Sequence, residues 1–329
     1  MKKSIEGCGF SCIDYIKKDA LTIADVGGTC ANVLSILSFL GWNSMIWLPG
    51  YEDRTLYNWL KERGVVSNEY VKTGKGIPII LQLCDKEKGH SFYTKCPKCG
   101  KRFAESSVPS KKQVGDQMPT ADVFFCDRIS EGVLERSART VSNGGISMYE
   151  PNGLRFYNQL LDACRNFSII KFSNDKIPEN WGERLRADLI EEQTKLLIIT
   201  EGKHGLRFSY RKTEKEFSTW FHLKVSHIEE GRDSSGAGDW LTAAFLYYFI
   251  MSKDHVSNLF AYEEIKKSLE AAMELAALSC KEIGAQGILH SQECIGVMEE
   301  ILGVELPEPV QMRKKDKELI CPYCGSVIN

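Results

Sequence analysis

No apolar run in this chain approaches the roughly 20 residues that a membrane-spanning helix needs, so the sequence predicts no membrane partner. The opening MKKSIEGCGFSCIDYI reaches Gly and Asp too early for a secretory signal, which makes the cytoplasm the expected location. Charge of one sign is also lacking. The 42 Lys and Arg against 44 Asp and Glu leave no whole-molecule field to draw in nucleic acid or an anionic surface. The six histidines show neither metal-ligand spacing nor a nucleophile triad, and the fold does not repeat internally. What the chain does have is 329 residues at 43% hydrophobic content, enough to bury a substantial core.

The middle of the chain alternates between two periods. Apolar runs VFFC (123–126), ISMY (146–149), SIIKF (168–172) and LLIIT (196–200) are separated by helix-like stretches near 130–142, 153–165 and 182–193. Such βαβ units imply a parallel sheet, and the continuous apolarity of the runs places them between two helical layers. Earlier strand candidates lie at 4–10, 43–48 and 77–83, with a helix over 31–40 closed by Gly41. Segment 84–118 is polar and rich in Lys, Cys, Ser, Pro and Gly, and reads as an insertion. A hairpin near 206–225 and two apolar helices at 237–251 and 262–283 follow, the second ended by Gly284, then a polar tail. The expected fold is a three-layer α/β/α domain with a mostly parallel sheet, formed by 1–83 and 119–305. Residues 84–118 would form an inserted lid and 306–329 a tail.

The sharpest signal is Asp233-Ser234-Ser235-Gly236-Ala237-Gly238-Asp239, leading directly into the apolar helix WLTAAFLYYFIM. At a helix N-terminus the first N–H groups lack intrahelical acceptors and the macrodipole is positive, so phosphate oxygens are stabilised there. Asp239 would accept the proton of an attacking hydroxyl while Gly236, Ala237 and Gly238 cradle the transferring phosphoryl group.

These seven residues resemble the C-terminal signature of the ribokinase-like (PfkB) carbohydrate and nucleoside kinases. The resemblance continues at the other end, where Gly27-Gly28-Thr29-Cys30-Ala31-Asn32 and then Leu40-Gly41 match the family's Gly-Gly, Asn and Leu-Gly in order and spacing. It implies that Asp14, Gly27, Gly28 and Asn32 hold substrate hydroxyls. It further implies that Ser173, Thr200, Gly202 and Gly205 line ATP, the last three within the turn TEGKHG. ATP would arrive as its Mg²⁺ complex, and Asp233 and Ser235 fall where family members bind a monovalent cation. One departure bears on metal handling. Where the family commonly has N-x-x-E, this chain reads Ser173-Asn174-Asp175-Lys176, which removes a carboxylate. The implied reaction is phosphorylation of a hydroxyl, expected to be a hydroxymethyl, of a sugar, sugar derivative or nucleoside. Lids of such enzymes often pair subunits, which is compatible with a homodimer. The alternative is a kinase-derived regulatory or binding protein with weakened catalysis, whose cysteine ribbon contacts a macromolecule.

Outside the resemblance, Cys96-Pro97-Lys98-Cys99-Gly100 and Cys321-Pro322-Tyr323-Cys324-Gly325 are near copies. Two CxxC turns make the four-thiolate set of a structural zinc site, and the expectation is that they meet in space. A redox dithiol, or separate sites completed by Cys84 or His90, are the competing readings.

Overall fold

In the computed structural model the residues described are 2–18, 21–85, 89–103, 108–114, 120–152, 156–178, 180–190, 192–225, 233–252, 258–311, 321 and 323–327. The strands are β1 Ser4–Cys8, β2 Cys12–Lys18, β3 Leu21–Gly27, β4 Asn43–Trp47, β5 Val65–Ser67, β6 Ile79–Asp85, β7 Gly89–Tyr93, β8 Val123–Cys126, β9 Ile146–Tyr149, β10 Ile169–Ser173, β11 Leu196–Thr200, β12 Leu206–Thr213, β13 Glu216–Phe217 and β14 Phe221–Leu223. The helices are α1 Thr29–Phe39, α2 Thr55–Glu62, α3 Glu131–Ser142, α4 Tyr157–Cys164, α5 Trp181–Asp188, α6 Ala237–Met251, α7 Tyr262–Ser279 and α8 Gln292–Leu302.

The central sheet runs β13-β12-β11-β10-β9-β8-β1-β4-β5, with β14 also paired to β12. Every pairing from β5 to β11 is parallel, and β12 adds an antiparallel edge. The unbroken apolar runs have a direct cause, because each strand feeds two cores. Val123 and Phe125 of β8 pack into one core with α1, α2, α6, α7 and α8, while Phe124 and Cys126 pack into the other with α3, α4 and α5. This is the three-layer arrangement the periodicity predicts.

A second sheet, β3-β2-β6-β7, was not read from the sequence. Asp14, Lys17, Lys18 and Asp25 interrupt the apolar pattern of β2 and β3, so only the 77–83 run stood out. That run belongs to this smaller sheet rather than to the central one, since β6 pairs with β2 in parallel and with β7 antiparallel. The expected insertion boundary at residue 84 therefore falls inside β6, and 89–93 is its partner strand. The cysteine knuckle at 96–100 starts only beyond β7, where Lys95 and Arg102 form an isolated bridge outside this sheet. Among the described residues no helix is long and apolar enough to cross a membrane. The tail's basic residues Arg313, Lys314, Lys315 and Lys317 lie outside the described residues.

Candidate active site

The turn before α6 is shaped by its small residues. Gly236 has φ 86°, the left-handed region where a side chain is strained, and a Cβ there would lie 2.2 Å from the Cα of Ala285. The turn thus packs directly on the 284–286 loop, while Gly238 stays exposed and no side chain caps the helix. The Ala237 N–H donates to Ser234 O at 3.3 Å, and the N–H groups that follow it at the helix start suit an anion. Asp233 braces the turn. Its Oδ1 accepts from Ser235 N (2.7 Å) and Ser235 Oγ (2.5 Å), and its Oδ2 from Gly284 N (2.9 Å) and Gln82 Nε2 (3.1 Å). Both oxygens expected to face a monovalent cation are therefore taken by protein donors, one of them from β6.

Asp239 stands in the first turn of α6 with an accessible edge. Its Oδ2 accepts a 2.7 Å hydrogen bond from Asn32 Nδ2 on α1. Burial and then the charge of Glu150 push its carboxyl up to about 7, against Asn32, Lys171 and Lys176, which pull it down. Lys171 was missed as a site residue because a lysine in the middle of SIIKF reads as a strand interruption. It is buried, with Nζ 2.8 Å from Glu150 Oε1, and a Cβ on Gly238 would lie 3.9 Å from that Nζ. Thr242 Oγ1 donates to Glu150 Oε2 at 2.8 Å and completes the cluster behind the turn. Replacing Lys171 by Met would strand Glu150 in the interior, with an expected loss of about 3–5 kcal/mol in urea-unfolding stability. The double change Lys171→Met/Glu150→Gln should recover most of it, and equal losses for the two variants would exclude the pairing as the cause.

Asp14 lies on β2 with its carboxyl folded over Gly27, where a Cβ would come within 2.1 Å of it. Cys12 Sγ donates to Asp14 Oδ1 at 3.1 Å. Desolvation pushes Asp14 up to about 7; the Cys12 contact opposes that and the charge of Asp25 adds to it. Asp127, which follows β8, is raised to about 6, chiefly by burial, and its Oδ1 accepts from Phe10 N at 2.7 Å. The charges of Asp14, Asp127 and Asp239 are all felt at the buried Cys12 thiol, so strands and helices far apart in sequence bring three carboxyls into the surroundings of one sulfur.

Asn32, expected to bind substrate, is buried, and both ends of its amide already have protein partners: Asp239 on Nδ2 and Gln286 Nε2 on Oδ1 (3.1 Å). Gly28, at φ 91°, starts α1 against the carbonyl of Phe10. Of the residues expected to line ATP, Ser173 and Thr200 are paired neighbours at the ends of β10 and β11. Gly202 opens a short 3-10 turn through His204. Gly205 has a packing reason of its own, since a Cβ there would lie 2.0 Å from the carbonyl of Leu223. Lys176, at the position where a carboxylate is commonly found, is exposed and its charge is felt at Asp239.

The two cysteine knuckles meet. Cys96 Sγ is 3.9 Å from Cys324 Sγ and Cys99 Sγ is 3.8 Å from Cys321 Sγ, with all four sulfurs within 4.8 Å of one another. Each knuckle closes alike, Gly100 N on Cys96 O (2.9 Å) and Gly325 N on Cys321 O (3.0 Å). The backbone N–H of Cys99 lowers the Cys96 thiol against desolvation, and Ser326 brings Cys324 down to about 6. The two shorter separations are too long for disulfides and match the edge of a tetrahedron with metal–sulfur bonds of about 2.3 Å.

A parallel sheet with a glycine-rich anion turn opening a buried helix, and a smaller sheet carrying Asp14 beside it, is the architecture of the ribokinase-like sugar kinases. A fructokinase double mutant from Vibrio cholerae O395, in fructose-, ADP- and potassium-bound form, superposes with a TM-score of 0.66 at 16% identity, over 86% of this chain and 94% of that one. Ribokinase from Giardia lamblia gives 0.68 at 12% identity, over 87% and 96%. A fructokinase from Xylella fastidiosa with bound ATP gives 0.66 at 19%, over 87% and 94%. A sequence comparison with curated proteins returns no match. The chain belongs to the pfkB family of carbohydrate kinases, whose profile matches residues 24–292.

Proposed function

We propose that the protein transfers the γ-phosphoryl group of ATP to a hydroxymethyl group of a sugar or sugar derivative, with Asp239 as general base. The observation that carries this reading is the Asp239 carboxyl itself, held near neutrality at the uncapped N-terminus of α6, with the Gly236–Gly238 turn beside it. The substrate hydroxyl gives its proton to Asp239 as its oxygen forms the new bond to phosphorus, and the bond to the departing ADP oxygen breaks. The α6 N–H groups, Lys171 and Lys176 face the charge on the transferring group. Asp14, beside Gly27, orients the sugar through its hydroxyls, and Ser173, Thr200 and the 202–205 turn flank the nucleotide. ATP arriving as its Mg²⁺ complex would bring neutralisation of phosphate charge with it, so this chain would need to supply few ligands to that metal. A monovalent cation at Asp233 would have to displace Gln82. Zinc suits the four thiols of Cys96, Cys99, Cys321 and Cys324, whose closed sulfur set leaves no position for substrate.

A sugar is favoured over a nucleoside because the similar Vibrio cholerae fructokinase is seen with fructose and ADP bound. The test is ATP consumption over a panel of ketoses, aldoses, sugar acids and nucleosides. Turnover with at least one sugar and none with nucleosides is expected, whereas nucleotide binding without turnover across the panel would refute the reading.

A further inference from the structure

A line of buried polar side chains leads away from the catalytic carboxyl, and its members are far apart in the sequence. Asn32 Oδ1 accepts from Gln286 Nε2 at 3.1 Å, and the same Gln286 nitrogen donates to the carbonyl of Val26 at 3.2 Å. Gln286 Oε1 in turn accepts from Arg63 Nε at 2.5 Å. Arg63, at the C-terminal end of α2, is 1% exposed at its side chain, and its guanidinium is paired with Asp25 Oδ1 and bonded to Trp59 O at 3.2 Å. Asp25 Oδ2 lies 2.7 Å from His290 Nε2, and His290 Nδ1 lies 2.7 Å from Val310 O. Burial raises the Asp25 carboxyl, but His290 and Arg63 outweigh it and hold it below its ordinary value.

The chemistry of the donors gives this line a direction. A guanidinium has five donors and no acceptor, so the atom of Gln286 that meets Arg63 Nε must be its oxygen. The amide nitrogen of Gln286 is then turned toward Val26 O and Asn32. Asn32 must answer that donor with its own oxygen, and only its NH₂ end is left for Asp239. The two amides carry the polarity of one arginine to the carboxylate. If either amide turned over, Asp239 would face a carbonyl oxygen, which favours the protonated acid rather than the carboxylate.

We infer that Arg63 and Gln286 are positioning residues for the reaction: through Asn32 they keep an N–H donor on Asp239 and so hold it as a ready base. This rests on Asp239 acting as the base, but the arrangement itself is a property of the resting protein. Asp25 is the counter-charge that allows a guanidinium to lie buried there, and His290 anchors Asp25 to the segment at Val310. Among the described residues, the other groups whose charges bear on Asp239 or share its surroundings are Glu150 just after β9, Lys171 on β10, Lys176 in the turn after β10, Cys12 on β2, Cys30 on α1, and Asp14 and Asp127, which with Asp239 are felt at Cys12. None of them is bonded to Arg63 or Gln286 in the contacts described above.

The experiment is a ¹³C NMR titration of aspartate side-chain carboxyls in the full chain without substrate, with the Asp239 signal assigned by its loss in Asp239→Asn. In Arg63→Met and in Gln286→Met the Asp239 midpoint is expected to rise by about one pH unit. Arg63→Lys, which restores a donor-only cation, is expected to bring it back. Should Arg63→Met fail to fold, Gln286→Met carries the test, because it leaves the Arg63–Asp25 pair in place. An unmoved midpoint in folded Gln286→Met, or no recovery with lysine when Arg63→Met has shifted, would overturn the inference. The outcome is independent of the proposed reaction: an inactive Asp239→Asn with unshifted titrations defeats only the positioning role, and shifted titrations in a protein that never consumes ATP defeat only the catalytic one.

Discussion

Asp239→Asn is expected to lower kcat with the responsive sugar by 10²–10⁴-fold, the usual contribution of a positioned general base. The substitution keeps the shape of the side chain, and an asparagine oxygen still accepts from Asn32 Nδ2, so the pocket should remain assembled. What is lost is a group able to take the hydroxyl proton. Nucleotide affinity, followed by thermal shift with ADP, should change little, since the α6 N–H groups are untouched. The wild-type pH profile gives the same result independently. With burial and Glu150 pushing the carboxyl up to about 7, Asp239 is mostly protonated below that value, and kcat should climb as pH rises through it. A profile flat from pH 5.5 to 8, or an asparagine variant with near-normal turnover, would remove Asp239 from the chemistry.

Removing two thiols at the far knuckle, Cys321→Ser with Cys324→Ser, is expected to take bound zinc from one ion per chain to none. The cost in stability follows from the loop the cluster closes. Joining Cys99 to Cys321 spans 222 residues. A cross-link over a loop of that length restricts the unfolded chain by about 5 kcal/mol in the loop-entropy treatment. For a protein of this size a fall of roughly 5–10 °C in melting temperature should accompany it. Zinc measured by elemental analysis and a melting curve are sufficient. Unchanged zinc content would mean that the sulfurs sit together without sharing a metal.

How much of this was legible in the sequence depends on whether the signal was local. The strands β8 to β11 stood out because burial on both faces makes them continuously apolar. The turn from Asp233 to Asp239 stood out because an anion cradle needs several small residues in a row. The paired knuckles were legible because the same five-residue pattern occurs twice. The strands β2 and β3 were not, since a sheet beside a polar pocket carries Asp14 and Asp25 where an apolar residue would mark a strand. Arg63 gave no signal at all. Near the end of an amphipathic helix an arginine reads as a solvated residue, and its burial depends on Asp25 and Gln286, which lie 38 and 223 residues away. Asn32 was expected to hold substrate, and the structure gives its amide to Asp239 and Gln286. Gly205 sits in the predicted turn, yet its missing side chain is explained by the neighbouring carbonyl of Leu223.

The meeting of the two knuckles also sets an order of events during synthesis. Cys96 is translated 228 residues before Cys324, and at cellular elongation rates that separation lasts on the order of ten to forty-five seconds. The intervening chain contains the remaining strands of the central sheet and helices α3 to α8, so the phosphoryl-transfer domain can close while the first pair of thiols is still waiting for the second. During that interval the nascent protein carries two of the four thiols without their partners, and with zinc as their proposed metal, maturation would depend on zinc supply at a moment when the rest of the fold no longer does.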